Sequence, residues 1–361
     1  MTAYYNASRN GSGVLREPPV FPLDYRITAT VVHSILLLLG VFGNIVVMLV
    51  VKRTRIMHIP TYWYLVSLSA ADLLSILVTV PEAIISYQIY AHQWIFGQIG
   101  CSLLIFLQFL GINASSLSIL AFTVERFVVI CRPLHAKSIC TMNRARRTIL
   151  ALWLLALVTA TPWLFLTVTR RYPGYPGFEF CDFRVSPDKY RYIFGVDMLV
   201  FYVIPLLTSC VMYFKMNTTL RSQIYQNKPS LLSISRVASV RRSTRNGRSG
   251  SRSRASSSDA VALGEAVDAA SAVTISQSRL QVVRMLFVVV ALFAVLWLPY
   301  RAVSLYNSLA SKPILNKWFM LFAKTCIFFN ASVDPLLYSA MSRRFRKAAF
   351  DVLTCRRNRL L

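Results

Sequence analysis

Apolar runs separated by short polar connections dominate this chain. Seven of them, at about 27–51, 62–89, 101–130, 148–168, 192–214, 283–305 and 318–341, have the length of lipid-spanning helices. A helix of about 20 apolar residues crosses the roughly 30 Å hydrocarbon core of a bilayer. The pattern therefore predicts an all-α integral membrane bundle of seven transmembrane helices, followed by a short amphipathic cytoplasmic helix. The third and seventh runs carry several polar residues and are the least secure on hydropathy alone. The sixth contains Phe293-Ala-Val-Leu-Trp297-Leu-Pro299-Tyr300-Arg301, and the seventh ends Asn330-Ala-Ser-Val-Asp334-Pro335-Leu-Leu-Tyr338. A proline inside such a helix removes a backbone hydrogen bond and bends it. Two bent helices in succession, each with aromatic or charged residues beside its proline, are expected to be moving parts rather than passive anchors.

Composition agrees with a membrane solvent. Of 361 residues 55% are hydrophobic and only 15% charged, and the mean hydropathy is +0.52, which excludes an ordinary soluble domain. A net charge of +26 would suit a nucleic-acid binder, but the position of the basic residues argues otherwise. Lys52, Arg53 and Arg55 follow the first run; Arg132, Lys137, Arg144, Arg146 and Arg147 follow the third; most of the others lie in a long later loop and the tail. The positive-inside rule puts these connections in the cytosol and the amino terminus outside, with no nucleic acid as partner. The expected organisation is an extracellular segment 1–26, a seven-helix domain 27–341 and a cytoplasmic helix and tail 342–361. Residues 1–26 contain no apolar core of a cleavable leader, so the first span is expected to act as its own targeting signal.

Asn6 and Asn10 lie in glycosylation tripeptides on the outer side. The same tripeptide at Asn113, Asn217 and Asn330 falls in helices or on the inner side and is read as chance. Of seven cysteines, only Cys101 and Cys181 fall outside, and these are expected to form a disulfide. Cys355, beside Arg356, Arg357 and Arg359, is either a palmitoylation site or a free thiol. The segment 221–278 is rich in Ser, Arg and Ala and is expected to be flexible. Ser243 there is either a kinase target or part of a solvated basic linker, and the stretch can also lie against anionic lipid.

Ionisable residues within a membrane helix are costly and point to function. Asp72 lies in the middle of the second run, Asn44 in the first and Ser115 in the third; Asn330 and Asp334, four apart, share a face of the seventh. Two carboxylates near the bilayer centre repel unless a proton or cation joins them. A hydrated cavity holding sodium is one reading, a polar packing network the other. Glu125-Arg126-Phe127 ends the third run. Arg126 can form a static pair with Glu125, or exchange between Glu125 and a protein docking from the cytosol. Tyr213 and Tyr338 stand at the inner ends of the fifth and seventh runs.

Together, Leu-x-x-x-Asp72, Cys101, Glu125-Arg126-Phe127, Trp153, Pro205, Phe293-x-x-x-Trp297-x-Pro299 and Asp334-Pro335-x-x-Tyr338 resemble the rhodopsin-like G-protein-coupled receptors over all seven helices. Phe127 stands where tyrosine is usual, and Asp334 where asparagine is usual. The resemblance implies a sodium pocket at Asp72, Ser115, Asn330 and Asp334, and a switch at Phe293, Trp297 and Pro299. It also implies G-protein contacts at Glu125, Arg126, Tyr213 and Tyr338, with arrestin and receptor kinases as further partners. Apart from the sodium ion no cofactor is implied.

Gln108 occupies the place where amine receptors of that family carry an aspartate, which disfavours amines as ligands. Phe106-Leu-Gln108-Phe109-Leu-Gly-Ile-Asn113-Ala-Ser115-Ser, with Tyr300-Arg301 and Asn316-Lys-Trp318-Phe, is similar to the thyrotropin-releasing hormone receptors. That similarity implies a short amidated peptide touching Gln108, Phe109, Asn113, Tyr300, Arg301 and Lys324, with coupling to the Gq class. Phe109 lacks the hydroxyl of the tyrosine found in the subfamily, and Lys324 replaces an arginine and with it the planar fork. Glu82, on the outer half of the second helix, pairs either with Lys324 or Arg301 or with a basic ligand group. Two other classes remain to be weighed. A transporter or channel would also carry buried carboxylates, but the helices show no internal repeat. An enzyme would need a nucleophile with a base, and His33, His58, His92 and His135 have no suitable sequence neighbours.

Overall fold

The computed structural model describes residues 20–172, 175, 177–185, 187–245, 257–310, 314, 316–341 and 343–354. Asn6, Asn10 and Cys355 lie outside the described residues. The helices are α1 (Leu23–Arg53), α2 (Pro60–Gln88), α3 (Gly97–Cys131), α4 (Pro133–Ile139), α5 (Met142–Ala160), α6 (Trp163–Leu166), α7 (Pro187–Met198), α8 (Ile204–Arg245), α9 (Ser257–Leu309), α10 (Lys317–Met341) and α11 (Arg343–Leu353). A five-residue π turn, Leu199–Val203, joins α7 to α8. Seven stretches of this architecture are long and apolar enough to cross a membrane, the fourth made by α5 with α6 and the fifth by α7 with α8. The bundle predicted from hydropathy is the one observed, including the short helix after the seventh span.

Lipid explains why helices prevail. With no water to bond exposed peptide groups, each segment must satisfy its own backbone. Outward faces carry large apolar side chains such as Leu38, Phe42, Val158, Phe165, Leu207 and Phe322, all exposed. The inward faces hold Ala71, Ala114, Ala156 and Ala160, fully buried where α2, α3 and α5 meet. Small residues allow backbones to approach where burying apolar surface provides no drive. At Gly111 a β-carbon would collide with Ser75 Oγ and come within 3.2 Å of the Ala71 carbonyl oxygen. A polar tie crosses the same layer: Trp153 Nε1 donates to Ser67 Oγ at 3.0 Å, and Ser67 and Ser118 hydroxyls are 2.9 Å apart.

On the outer side the chain forms an element that hydropathy could not show. β1 (Thr167–Arg171) and β2 (Glu179–Phe183) pair antiparallel, with Thr169 opposite Cys181. Cys181 is bonded to Cys101 at the start of α3, the two Cα atoms 5.6 Å apart. Gln98 Oε1 accepts from Thr169 N at 2.8 Å and Trp94 N donates to the Glu179 carbonyl at 2.7 Å. The hairpin is thus fastened across the mouth of the bundle by a covalent bond and two lateral hydrogen bonds.

On the inner side α8 continues to Arg245 and α9 begins at Ser257, so the stretch 221–278, expected to be flexible, carries helical backbone at both ends. Alanines such as Ala260, Ala262, Ala266, Ala269 and Ala270 favour that continuation. After α10, Arg346 Nη1 donates to the Ser339 and Ala340 carbonyls, groups that a helix end leaves without partners. Phe345, Ala348 and Ala349 are buried while Phe350 and Leu353 are exposed.

Gly111→Ala is expected to lower the melting temperature of the detergent-purified protein by forcing α2 and α3 apart, a cost of about 1–3 kcal/mol. Gly195→Ala, where a β-carbon meets no atom within 4 Å, should leave it unchanged or slightly higher. Equal melting curves for the two variants would mean that the Gly111 contact contributes nothing.

Candidate functional site

Between the hairpin and the outer halves of the helices lies a cavity of about 740 Å³. Its wall includes Glu82 from α2, Gln108 from α3, Cys181 from β2, Tyr300 from α9, and Lys317 and Lys324 from α10. Below it is a smaller space of about 90 Å³, lined by Asp72, Thr79, Trp297 and Phe328. Glu82, Gln108, Tyr300 and Lys324 line both. Four of the residues expected to meet a ligand therefore come together from four helices, and they also wall the space that Trp297 and Asp72 line.

The other three expected contacts are placed differently. Phe109 stacks on Trp163, ring centroids 4.1 Å apart and planes at 13°, and borders a pocket of about 20 Å³ that Gln108 and Tyr300 also line. Asn113 is fully buried in α3 and lines none of these spaces; neither its Oδ1 nor its Nδ2 has a partner. Arg301 does not line the outer cavity and borders the 20 Å³ pocket instead, together with Gln108 and Tyr300. Its Nη1 donates to Asp197 Oδ2 of α7, both side chains being 8% exposed, and its guanidinium lies 5.6 Å from the Trp297 ring centroid. A guanidinium this deep needs a carboxylate, and the packing of α7 on α9 supplies one. Asp197 was legible in principle: it is an ionisable residue in an apolar run, like Asp72.

The core beneath is crowded with polar atoms that lack donors or acceptors. Ser115 Oγ donates to Asp72 Oδ1 at 2.9 Å. Asp72 Oδ2, both oxygens of Asp334, Asn330 Oδ1 and Nδ2, and Asn44 Oδ1 have no partner. Asp72 and Asp334 interact electrostatically with each other. Buried oxygens in this number need water or a cation, and hard cations of low charge take oxygen ligands of this kind. Asp72, Ser115, Asn330 and Asp334 are therefore chemically suited to hold sodium.

The prolines shape the moving parts, and their consequences can be traced atom by atom. Pro205 cannot donate to the Phe201 carbonyl four residues earlier; Ser116 Oγ of α3 donates to it instead, at 2.5 Å. Pro335 likewise frees the Ala331 carbonyl, which Asn44 Nδ2 of α1 reaches at 3.0 Å. Within α9, Phe293 and Trp297 rings lie 5.7 Å apart, and Tyr202 packs on Phe293 at 5.8 Å while its hydroxyl donates to the Ala294 carbonyl at 2.6 Å. The sequence offered no sign that Ser116 or Tyr202 would serve in this way. His33, also fully buried, bridges Tyr87 Oη at 3.1 Å and Thr325 Oγ1 at 3.0 Å.

At the inner end Arg126 Nη2 pairs with Glu125 Oε1 at 2.9 Å, and Thr61 Oγ1 donates to the same oxygen at 2.9 Å. Glu125 Oε2 and Arg126 Nε are buried without partners, so the pair is incompletely satisfied. Tyr338 is buried with its hydroxyl unpartnered. Tyr213 packs on Phe287 of α9 at 4.7 Å, so α8 and α9 touch here.

This arrangement of bundle, hairpin and polar core has known counterparts. The profile described as "7 transmembrane receptor (rhodopsin family)" matches residues 43–338, and the chain belongs to that family of G-protein-coupled receptors. Within it, the chain stands close to the thyrotropin-releasing hormone receptors. It is 36% identical to the sheep (Ovis aries) thyrotropin-releasing hormone receptor over 344 residues, covering 95% of this chain and 82% of that one. Against the human (Homo sapiens) receptor the identity is 35% over 343 residues, with 95% and 82% covered. The pyrokinin-1 receptor of Drosophila melanogaster is 30% identical over 357 residues, with 93% and 82% covered.

Asp197→Asn is expected to destabilise the purified receptor by about 3–5 kcal/mol, because a buried guanidinium loses its counter-charge. The double change Asp197→Asn with Arg301→Gln should recover much of that loss in a thermal-shift measurement. If the losses simply add, Arg301 and Asp197 are not energetically coupled.

Proposed function

We propose that this protein is a plasma-membrane receptor for a short amidated neuropeptide, with its amino terminus outside the cell. Binding drives nucleotide exchange on a heterotrimeric G protein of the Gq class, with phospholipase C and calcium release downstream. The observation that carries this reading is the wall common to the two cavities: the groups that line the outer one, Glu82, Gln108, Tyr300 and Lys324, also border the space lined by Trp297 and Asp72. The relatives named for thyrotropin-releasing hormone support a peptide of that general kind. Arrestin, receptor kinases and anionic lipid at the arginine-rich inner surface are the further partners of this reading.

A ligand shifts the resting equilibrium only by its differential affinity for the two states. Filling the lower cavity bears on Trp297, whose repacking against Phe293 and Tyr202 moves α9 about the bend at Pro299. Outward movement of α9 separates Phe287 from Tyr213 and opens the inner face. There Arg126 exchanges Glu125 for the G protein, with Tyr213 and Tyr338 bordering the opening. Sodium held by Asp72, Asp334, Ser115 and Asn330 neutralises paired carboxylates and favours the resting packing.

Arg126→Ala should abolish agonist-stimulated nucleotide exchange in membranes while peptide binding persists; undiminished exchange would refute the role assigned to Arg126. Raising sodium against an N-methylglucamine control is expected to weaken agonist binding at constant ionic strength, and Asp334→Asn should flatten that dependence several-fold. A dependence identical in the variant would remove Asp334 from the cation site.

A further inference from the structure

Glu82 and Lys324 are the two charged residues of the outer cavity that also line the space beneath it. Among the described residues neither makes an ion pair within 4.0 Å or a side-chain hydrogen bond, although they sense each other electrostatically. Arg301, the other basic group at this level, is neutralised by Asp197, and Lys317 stays at the mouth, 5.9 Å from the Tyr25 ring centroid. Where the two cavities share a wall, the ligand space therefore presents one carboxylate from α2, Glu82, and one ammonium from α10, Lys324, neither of them in an ion pair, while Asp72 lies deeper and accepts from Ser115.

Resting on the peptide-receptor reading, we propose that Glu82 binds an ammonium or guanidinium group of the ligand while Lys324 binds a carboxylate of the same molecule. The preferred ligand is then an amidated peptide bearing both charges, not a neutral or blocked one. Two half-buried charges separated by a ligand must each regain in the complex what they lose in hydration. A peptide carrying only an acid would satisfy Lys324 and leave Glu82 desolvated; one carrying only a base would do the reverse. A neutral peptide would leave both unpaired or force it between two groups that attract each other. The cation can be the peptide's amino terminus or a basic side chain, since Glu82 requires only the charge.

The test uses full-length receptor in membranes, with nucleotide exchange on Gq, Gi and Gs proteins as readout. The probes are four sub-libraries of amidated tetrapeptides: cation plus acid, cation only, acid only and neither. The cationic sub-libraries are divided into free amino terminus and acetylated peptide with Lys or Arg, which separates the two sources of positive charge. Activity concentrated in the doubly charged sub-library is expected. Glu82→Gln should then raise the half-maximal concentration of active peptides at least tenfold and shift preference toward acid-only peptides, and Lys324→Gln should do the converse. Because the library comparison uses the unaltered chain, it holds even if a variant fails to reach the cell surface. Equal potency for neutral and doubly charged peptides would overturn the proposal and leave the peptide-receptor reading intact. Silence of all four sub-libraries at a surface-expressed receptor would overturn both.

Discussion

A peptide carbonyl inside a bilayer needs a donor from the protein, and in this molecule that requirement joins the bend of one helix to the face of another. Pro205 and Pro335 each release a carbonyl, and Ser116 and Asn44 capture them from α3 and α1. Each capture is polar, short and buried, so the bend is held in place by a neighbouring helix. Bent helices therefore remain in register while their far ends are free to move. The π turn before Pro205 is part of the same accommodation and places Tyr202 against Phe293.

Electrostatics divides the interior into layers. Where the outer cavity meets the space beneath it, Glu82 and Lys324 stand without an ion pair among the described residues. Beside them Arg301 and Asp197 cancel, and the guanidinium lies near the Trp297 ring. Deeper still, Asp72 and Asp334 interact electrostatically, and three of their four carboxylate oxygens have no partner. At the inner surface Glu125 holds Arg126 through one oxygen while its other remains unpartnered. An incompletely satisfied charge is a poor source of stability and a good element for exchange, because a second partner can compete for it.

The departures from the commonest family pattern have different weights. Phe109 replaces a hydroxyl by a ring stacked on Trp163, so the position serves to wall a side pocket. Lys324 keeps the charge of the usual arginine on a compact ammonium. Asp334 adds a second carboxylate to the core, and its two unpartnered oxygens show that no protein donor was recruited to offset it.

From the sequence alone, the number of spans, the disulfide pair and the buried polar residues of the core were legible. Each depends on local chemistry: apolar length, two outer cysteines, and carboxylates within lipid-length helices. What could not be read was pairing across helices. The partner that α7 brings to Arg301, Asp197, and the full burial of Asn113 in α3 appear only once the helices pack, and the hairpin over the mouth gives no hydropathy signal at all. Sequence by itself determined which groups enter the membrane, because crossing lipid is a property of each segment. Only the tertiary structure decided which of those groups are neutralised and which stay open to a ligand, because a buried charge is defined by the neighbour that packing places against it.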